Sequence, residues 1–297
     1  YLNTMFVFFT IFYLPSCFDG SEYNGSRYSQ WIGKSKSIYF LWTKIFQLKL
    51  SQVNWNKKLF EGKKEQQQYI FASHPHGVAS MHHMGTMMLP AVCEKGKAFE
   101  DLSPQMNRRE LAASILFKIP LLRDLSVMAG AVDADRKVAV RMLKQGKSLG
   151  ILVGGEQEQL LSRYGEHTAF IKSRKGFIKL ALRFNIPVVP CYCFGETDLY
   201  HQSGVFLGFR QWFAKKFGIA LTIAVGRSWL FPFLPIANVK LIQCVGEPIY
   251  PKKIKETDKP SVEEIDELLD AYINGLKSVF NENKAACGYP NAQLKIV

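Results

Sequence analysis

The stretch "QQYIFASHPHGVASMHHMGTMML", residues 67–89, carries three structural signals in a row. "QQYIFAS" is a short β-prone run, and "VASMHHMGTMML" reads as a helix. Between them stands His74-Pro75-His76-Gly77. Proline restricts its own backbone and that of its predecessor, and glycine opens a tight entry into the helix. A strand feeding a rigid turn and then a helix is an α/β unit, and the loop at the carboxyl end of such a strand is where sites gather. Four of the chain's six histidines, at 74, 76, 82 and 83, fall in this stretch.

The same alternation runs through the chain. "LSVMAGAV" (125–132) and "SLGILVGG" (148–155) read as short buried strands. Asp133 to Lys147 has a helical pattern, with Val138, Met142 and Leu143 on one face and Gly146 near the stop. "GFIKLALRF" (176–184) is a further helix and "NIPVVPCYCFG" (185–195) a strand. "IALTIAVG" (219–226) and "KLIQCVGEPI" (240–249) add two more strands. "PSVEEIDELLDAYINGLKSVF" (260–280) is a long helix with Ser261 and Glu264 as a capping box. Its expected buried stripe is Val262, Ile265, Leu268, Leu269, Tyr272, Leu276 and Val279. The expected fold is therefore α/β, with a central, mostly parallel sheet flanked by helices.

Composition bounds the function. The chain has 297 residues, 47% hydrophobic and 21% charged, with a formal net charge of +13. Those values argue for a globular chain, and the charge fits either plain solubility or an anionic partner: nucleic acid, a phosphorylated cofactor or a membrane surface. Its six cysteines, at 17, 93, 191, 193, 244 and 287, form neither a disulfide framework nor a zinc pattern.

The amino-terminal part reads separately. The chain begins at Tyr1 rather than Met, and is expected to start inside something longer. Met5 to Leu14 is solidly apolar, but about 20 apolar residues are needed to cross a bilayer. It fits the end of a truncated span, an arm of a membrane hairpin or a buried helix. From Arg27 to Lys64 nine residues are basic and one, Glu61, is acidic, as expected beside a membrane on its cytosolic side. Apolar residues at 38, 41, 42, 45 and 48 make one helical face, suited either to an interfacial helix or to a core. The expected organisation is a membrane segment and connector over 1–26, a basic amphipathic region over 27–68 and a catalytic domain over 69–297.

Four places can carry chemistry. His74 and His76 would be fixed by their turn, and a fixed imidazole can take a proton at neutral pH. The same placement equally suits plain hydrogen bonding to neighbouring loops. After Gly154-Gly155 a helix opens with Glu156 and Glu158, either as favourable dipole partners or as the group that orients an imidazole. Lys172, Arg174, Lys175 and Lys179 gather where a loop meets a helix amino terminus, either as an anion site or as a solvated face. Phe194-Gly195-Glu196 ends a strand. No phosphate loop, G-x-S-x-G elbow or H-E-x-x-H motif is present.

The order of these motifs is informative. "HPHG", then "VGG" with a following glutamate, "RKGF-KLAL", "VP-xxx-FGE" and "VGEPI" together resemble the diacylglycerol acyltransferase type-2 family, which includes monoacylglycerol and wax-alcohol acyltransferases. The resemblance covers about residue 27 to the end. It implies a glycerolipid-acyltransferase-like domain that esterifies a lipid alcohol, diacylglycerol first, with acyl-CoA as co-substrate and no bound metal or cofactor. It implies an endoplasmic reticulum membrane enzyme with a cytosolic catalytic face, lipid droplets being a second location. Residues 1–16 would then be the remnant of a membrane hairpin.

Carried over by residue, the resemblance makes His76 the general base and Glu158 its partner; the oxyanion would then take its donors from loop N–H groups near Gly77 or from His74. Glu156 is the alternative to Glu158. Pro75, Gly77, Gly154, Gly155, Arg174, Lys175, Gly176, Phe177, Gly195 and Glu196 would surround the substrates, with Arg174 and Lys175 on the coenzyme A phosphates. The expected partners are acyl-CoA, the lipid alcohol and membrane lipid, not nucleic acid, and self-association stays open. His82 and His83 project about 100° apart on a helix, which argues against a shared metal and for packing. Two rivals are a non-catalytic lipid-binding protein on the same fold and a zinc hydrolase built on the histidines.

Overall fold

The computed structural model describes residues 7, 13–33, 35–53, 68–88, 107–252 and 259–297. The main strands are β1 (Lys49–Val53), β2 (Ile70–His74), β3 (Arg108–Ala112), β4 (Ala131–Asp133), β5 (Ser148–Leu152), β6 (His167–Ala169), β7 (Val188–Phe194), β8 (His201–Gln202), β9 (Ala224–Val225), β10 (Lys240–Val245) and β11 (Leu294–Ile296). Seven of them form one sheet in the order β1-β10-β7-β2-β5-β3-β4. β6 pairs with β11 and β8 with β9 in two small sheets.

The helices that matter are α1 (Met81–Met88), α2 (Leu122–Met128), α3 (Arg136–Lys144), α4 (Gly155–Leu161), α5 (Gly176–Phe184), α6 (Leu207–Phe217) and α7 (Val262–Asn283). β2 and β7 are buried along their whole length, as parallel strands covered on both faces must be. α3, α5 and α7 lay their apolar stripes on the sheet, and the largest core cluster joins Ile70, Val138, Met142, Leu149, Ile178, Val188, Tyr192, Tyr272 and Phe280. The Ser261–Glu264 capping box of α7 forms as expected. Val262 does not join the stripe. It is 65% exposed, because it lies in the first turn, beyond the reach of the sheet.

Strand order explains how distant motifs meet. β2 lies between β5 and β7 and runs parallel to both, with Ser73 level with Leu152 on one side and Cys191 on the other. The carboxyl ends of all three strands therefore emerge together. They deliver His-Pro-His-Gly, Gly-Gly-Glu-Gln-Glu and Phe-Gly-Glu to one edge.

Three expectations need correction. The sheet is mixed: β10 runs antiparallel to β7, and β1 follows β10 rather than the rest. "LSVMAGAV" is mostly helix, with only Ala131–Asp133 extended, and "IALTIAVG" contributes just the two residues of β9.

The third correction is the membrane-embedded segment. Among the described residues no helix is long and apolar enough to cross a membrane. Of Met5–Leu14 only Val7, Tyr13 and Leu14 are described. From Tyr13 onward the chain is docked on the domain: the Tyr13 hydroxyl donates to Asp124, and the buried Arg123 donates to Ser16 O, Asp19 and Glu22. The transmembrane reading, and the endoplasmic reticulum membrane or lipid-droplet location drawn from it, lose their structural basis.

The expected amphipathic face over 38–48 divides. Trp42 and Leu48 are buried with Leu50, Met81 and Leu241, and Ile38 packs beside them. Leu41 and Ile45 are exposed. A π-helical turn over Leu41–Phe46 accounts for part of this, since it shifts residues relative to an α-helical wheel.

Candidate active site

The site is built on the loop 74–80 between β2 and α1. Its opening peptide bond, His74–Pro75, is cis. Two carboxylates hold this loop. Glu158, in the first turn of α4, is fully buried, and one oxygen lies 2.8 Å from His74 Nδ1. The same carboxylate accepts the His76 N–H at 2.6 Å and the Phe170 N–H at 2.7 Å. Glu196, just after β7, accepts the N–H groups of Met81 at 2.9 Å and His82 at 2.8 Å, and also meets His82 Nδ1. It thereby satisfies two of the orphan donors at the start of α1. Gln159 donates to Val78 O at 2.6 Å. The loop is thus gripped from α4 at one end and from the β7 end at the other.

Within that frame His76 is the loop imidazole that reaches solvent. Its side chain is only partly buried, whereas His74, His82 and His83 are buried. His76 Nδ1 lies 3.1 Å from Gly77 O and 3.0 Å from Ser80 Oγ. A carbonyl can only accept, so this contact places the proton on Nδ1 and leaves Nε2 as the accepting nitrogen, with Ser80 Oγ 3.5 Å away. Burial pushes the His76 pKa below the ordinary imidazole value, opposed in part by Glu158, the Gly77 carbonyl, Glu196 and Glu156. Burial also works against the Glu158 charge, but the His74 ring and the hydrogen bonds from His74, Phe170 and His76 hold its pKa below the usual range.

The remaining expected residues separate by what they touch. Pro75 is buried in the loop. Gly77 has φ +61°, and a Cβ there would meet Glu196 Oε1 at 2.5 Å. A side chain at Gly154 would collide with Glu158, and one at Gly195 with the Lys240 carbonyl. These glycines permit close packing of the frame. Gly155 has φ +54° and faces Arg174. Arg174 donates to Gly154 O at 2.8 Å and lies over the Phe170 ring, so it sits beside the Glu158 turn. Lys175 pairs with Asp266 of α7. Gly176 opens α5, and Phe177 is buried edge-on against Tyr272. Glu156 makes no hydrogen bond to the loop among the described residues, and its charge reaches His76 only at a distance.

Several residues of the site were not assigned to it from the sequence. Ser80 touches the His76 ring and has φ +54°, an uncommon conformation for a residue with a Cβ. Tyr272 of α7 donates to Ala72 O and lies beside the His74 ring. His83 meets Glu110, which also pairs with Arg108. Glu110 and Tyr272 lie far from the loop in sequence, so only their burial reveals them. Ser80 could have been noticed as a capping-type residue just before the helix. Among the described residues no group of three or more His, Cys, Asp or Glu side chains is arranged to hold a metal ion, and the described cysteines are all free.

Comparison with known proteins agrees with the motif order. Over 242 residues the chain is 36% identical to diacylglycerol O-acyltransferase 1 of Eremothecium gossypii, covering 77% of this chain and 50% of that protein. It is 31% identical over 300 residues to 2-acylglycerol O-acyltransferase 3 of Homo sapiens, covering 95% of this chain and 82% of that one. The chain thus spans about half the length of the first of these relatives. A solved structure, the 1-acyl-sn-glycerophosphate acyltransferase PlsC of Thermotoga maritima, aligns with a TM-score of 0.49 and 16% identity over 86% of this chain and 79% of that one. The family model for diacylglycerol acyltransferase matches residues 1–297, and the chain belongs to that family.

Proposed function

We propose that this chain transfers an acyl group from acyl-CoA to the hydroxyl of a lipid alcohol, with His76 as the general base. The observation that carries the reading is the state of His76. It is the partly exposed imidazole of the loop, its Nδ1–H is held by the Gly77 carbonyl, and its Nε2 carries the lone pair that can take a proton.

In this mechanism His76 Nε2 removes the acceptor hydroxyl proton as the oxygen attacks the thioester carbon. The tetrahedral intermediate collapses, the carbon–sulfur bond breaks, and the imidazolium returns its proton to the departing coenzyme A thiolate. Glu158 acts through the loop, holding His74 by its ring and His76 by its backbone. His74 serves as a buried brace, because its Nδ1 is engaged by Glu158 and its ring has no exposed surface. The His76, Met81 and His82 N–H groups are engaged by carboxylates. Oxyanion stabilisation therefore falls to donors of residues 77–80. Arg174, beside the Gly154–Gly155 turn, would meet an anionic group of the acyl donor.

Direct transfer needs no acyl-enzyme. Burial pushes the Cys191 thiol up to about 12 and the Cys193 thiol well above its ordinary value, which makes both poor nucleophiles. Diacylglycerol is the acceptor we favour, from the relative with the higher identity. A 2-acylglycerol is the second reading, since the human relative named for it aligns over nearly the whole chain.

The test uses radiolabelled acyl-CoA with diacylglycerol, 2-acylglycerol and fatty alcohol, with products separated by lipid class. His76→Ala should lose about 10²–10⁴-fold in rate with its fold intact. Unchanged turnover in that variant would refute the assignment. Acyl-CoA binding by the parent chain with no turnover on any acceptor would favour a lipid-binding protein instead.

A further inference from the structure

Two carboxylates grip the 74–80 loop, and residues 284–297 reach the support of each. At the Glu196 end the contact is a single side chain. The Tyr289 hydroxyl donates to Asp198 Oδ2 at 2.5 Å, and Asp198 closes the 3₁₀ turn Glu196–Asp198 that follows β7. Burial and the Asp198 carboxylate push the Tyr289 pKa up, so the hydroxyl stays a donor. Asp198 Oδ1 is buried with no hydrogen-bond partner among the described residues. Tyr289 is thus the one described side chain that donates to this carboxylate. Its ring stacks on Phe194, the last residue of β7, with centres 5.4 Å apart.

At the Glu158 end the contact is main chain. β11 pairs with β6, and Val297 continues the pairing. Its N–H donates to Ala169 O at 3.0 Å, and its carbonyl accepts from Ile171 at 2.7 Å and from Lys172 at 3.1 Å. Between Ala169 and Ile171 stands Phe170, whose N–H donates to the Glu158 carboxylate at 2.7 Å. Backbone groups alternate in direction along a strand, so binding Ala169 and Ile171 on one side turns the Phe170 N–H to the other, toward Glu158. Ala169 and Ile171 are fully buried. The segment itself is tied to the end of α7, through Tyr289 N–H to Lys284 O at 2.7 Å and Lys284 Nζ to Ala292 O at 2.8 Å.

We propose that residues 284–297 form a strap that positions both carboxylates of the loop frame. Tyr289 is a positioning residue that acts through Asp198 on Glu196, and the Val297 main chain acts through Phe170 on Glu158. A base must sit within about 0.5 Å of its productive place, and the groups behind it supply that tolerance. The other role open to the segment is a plain staple, since Tyr289, Leu294 and Ile296 pack against the core. A staple would lower the melting temperature without altering turnover of the folded chain. The proposal rests on the acyl-transfer reading for its effect on rate, and on the frame geometry alone for its effect on the loop.

The experiment compares the full chain with Tyr289→Phe, which removes the hydroxyl and keeps the ring, and with Val297→Pro, which removes the N–H that meets Ala169. Acyl transfer is measured at a temperature where circular dichroism shows all three folded. Each variant should lose about tenfold or more in kcat with an unchanged KM for acyl-CoA, since misplacement by about 1 Å costs up to about 10²-fold. Asp198→Ala should lose as much as Tyr289→Phe, and the two together no more than either. Amide hydrogen exchange reads the frame without turnover. Tyr289→Phe should speed exchange at Met81 and His82, whose N–H groups Glu196 accepts, and Val297→Pro at Phe170 and His76, whose N–H groups Glu158 accepts. The amides of α3 should stay as protected as in the parent. With an active parent, parent-like kcat in either variant overturns the proposal. With any parent, so does parent-like exchange at these amides, or an equal loss of protection in α3. A parent inactive on every acceptor that still shows the local exchange changes sinks the acyl-transfer reading and upholds the strap.

Discussion

The Glu158 carboxylate holds the ring of His74, 2.8 Å from its Nδ1, and takes from His76 only its backbone N–H, at 2.6 Å. The ring of the proposed base is held instead by the Gly77 carbonyl, 3.1 Å from Nδ1. One carboxylate thus fixes the position of the loop, and a peptide oxygen fixes the tautomer. This division separates what the neighbouring residues should do when replaced.

Glu158→Gln removes the charge that faces His74. Leaving buried donors without their charged acceptor costs about 1–3 kcal/mol, so denaturant unfolding should show a loss of that order at pH 7. His74→Gln should cost a comparable amount. The double variant should cost less than the sum, because both changes remove the same pairing. Additive losses would mean that the two groups do not act as a pair.

Acidification should reveal the same pair. The Glu158 pKa lies below its ordinary value in the folded protein, so the folded state binds this proton less readily than the unfolded state. The stabilisation is therefore fully present above the ordinary carboxylate value of about 4.5 and is lost as pH falls through the folded pKa. The gap in unfolding free energy between the parent chain and Glu158→Gln should narrow below that pH. A gap that stays constant down to strong acid would contradict the assignment.

The rate of acyl transfer should titrate with His76. Its pKa is lowered by burial, so the neutral, proton-accepting form predominates from below the ordinary imidazole value of about 6.5. The rate under kcat/KM conditions should rise with pH on a single limb centred below 6.5 and be level by neutrality. A midpoint above 6.5 would count against His76 as the base.

Gly77→Ala tests how closely the loop is packed. The new methyl would sit 2.5 Å from Glu196 Oε1 at φ +61°, and strained backbone of this kind costs about 1–3 kcal/mol. Because Glu196 anchors the first turn of α1, the expected result is lower stability together with lower kcat. Gly165→Ala, also at positive φ but with nothing near its Cβ, should lower stability while leaving kcat alone.

Cys191→Ala and Cys193→Ala should retain acyl transfer, and the parent kinetics should be sequential in the two substrates. Mass spectrometry of the enzyme incubated with acyl-CoA alone checks this. A stable thioester on either cysteine would replace direct transfer with a two-step route.

Much of the fold was legible locally. The capping box and stripe of α7, the apolar run of β7 and the strand–turn–helix at 69–88 all follow from short-range pattern, because helix and strand periodicity is written in neighbouring residues. β1, β3 and the docked residues 13–26 were not, since their places depend on partners far along the chain, such as Lys240–Cys244 for β1 and Arg123 for the docked turn. The antiparallel entry of β10 was illegible for the same reason: apolar runs do not state a strand's direction.

The candidate site divides along the same line. Sequence alone determined that His-Pro-His-Gly, the glutamate after two glycines and Phe-Gly-Glu each end a strand, because proline, glycine and apolar runs act locally. Tertiary structure decided which carboxylate meets which imidazole. The adjacency of β5, β2 and β7 gives Glu158 to His74 and Glu196 to His82, and leaves His76 to a neighbouring carbonyl. It also decided that Phe206, Phe209, Trp212, Trp229 and Phe233 stand outward. Arg210 bonds the backbone on both flanks of α6 from within, and nothing else in the described chain covers those rings.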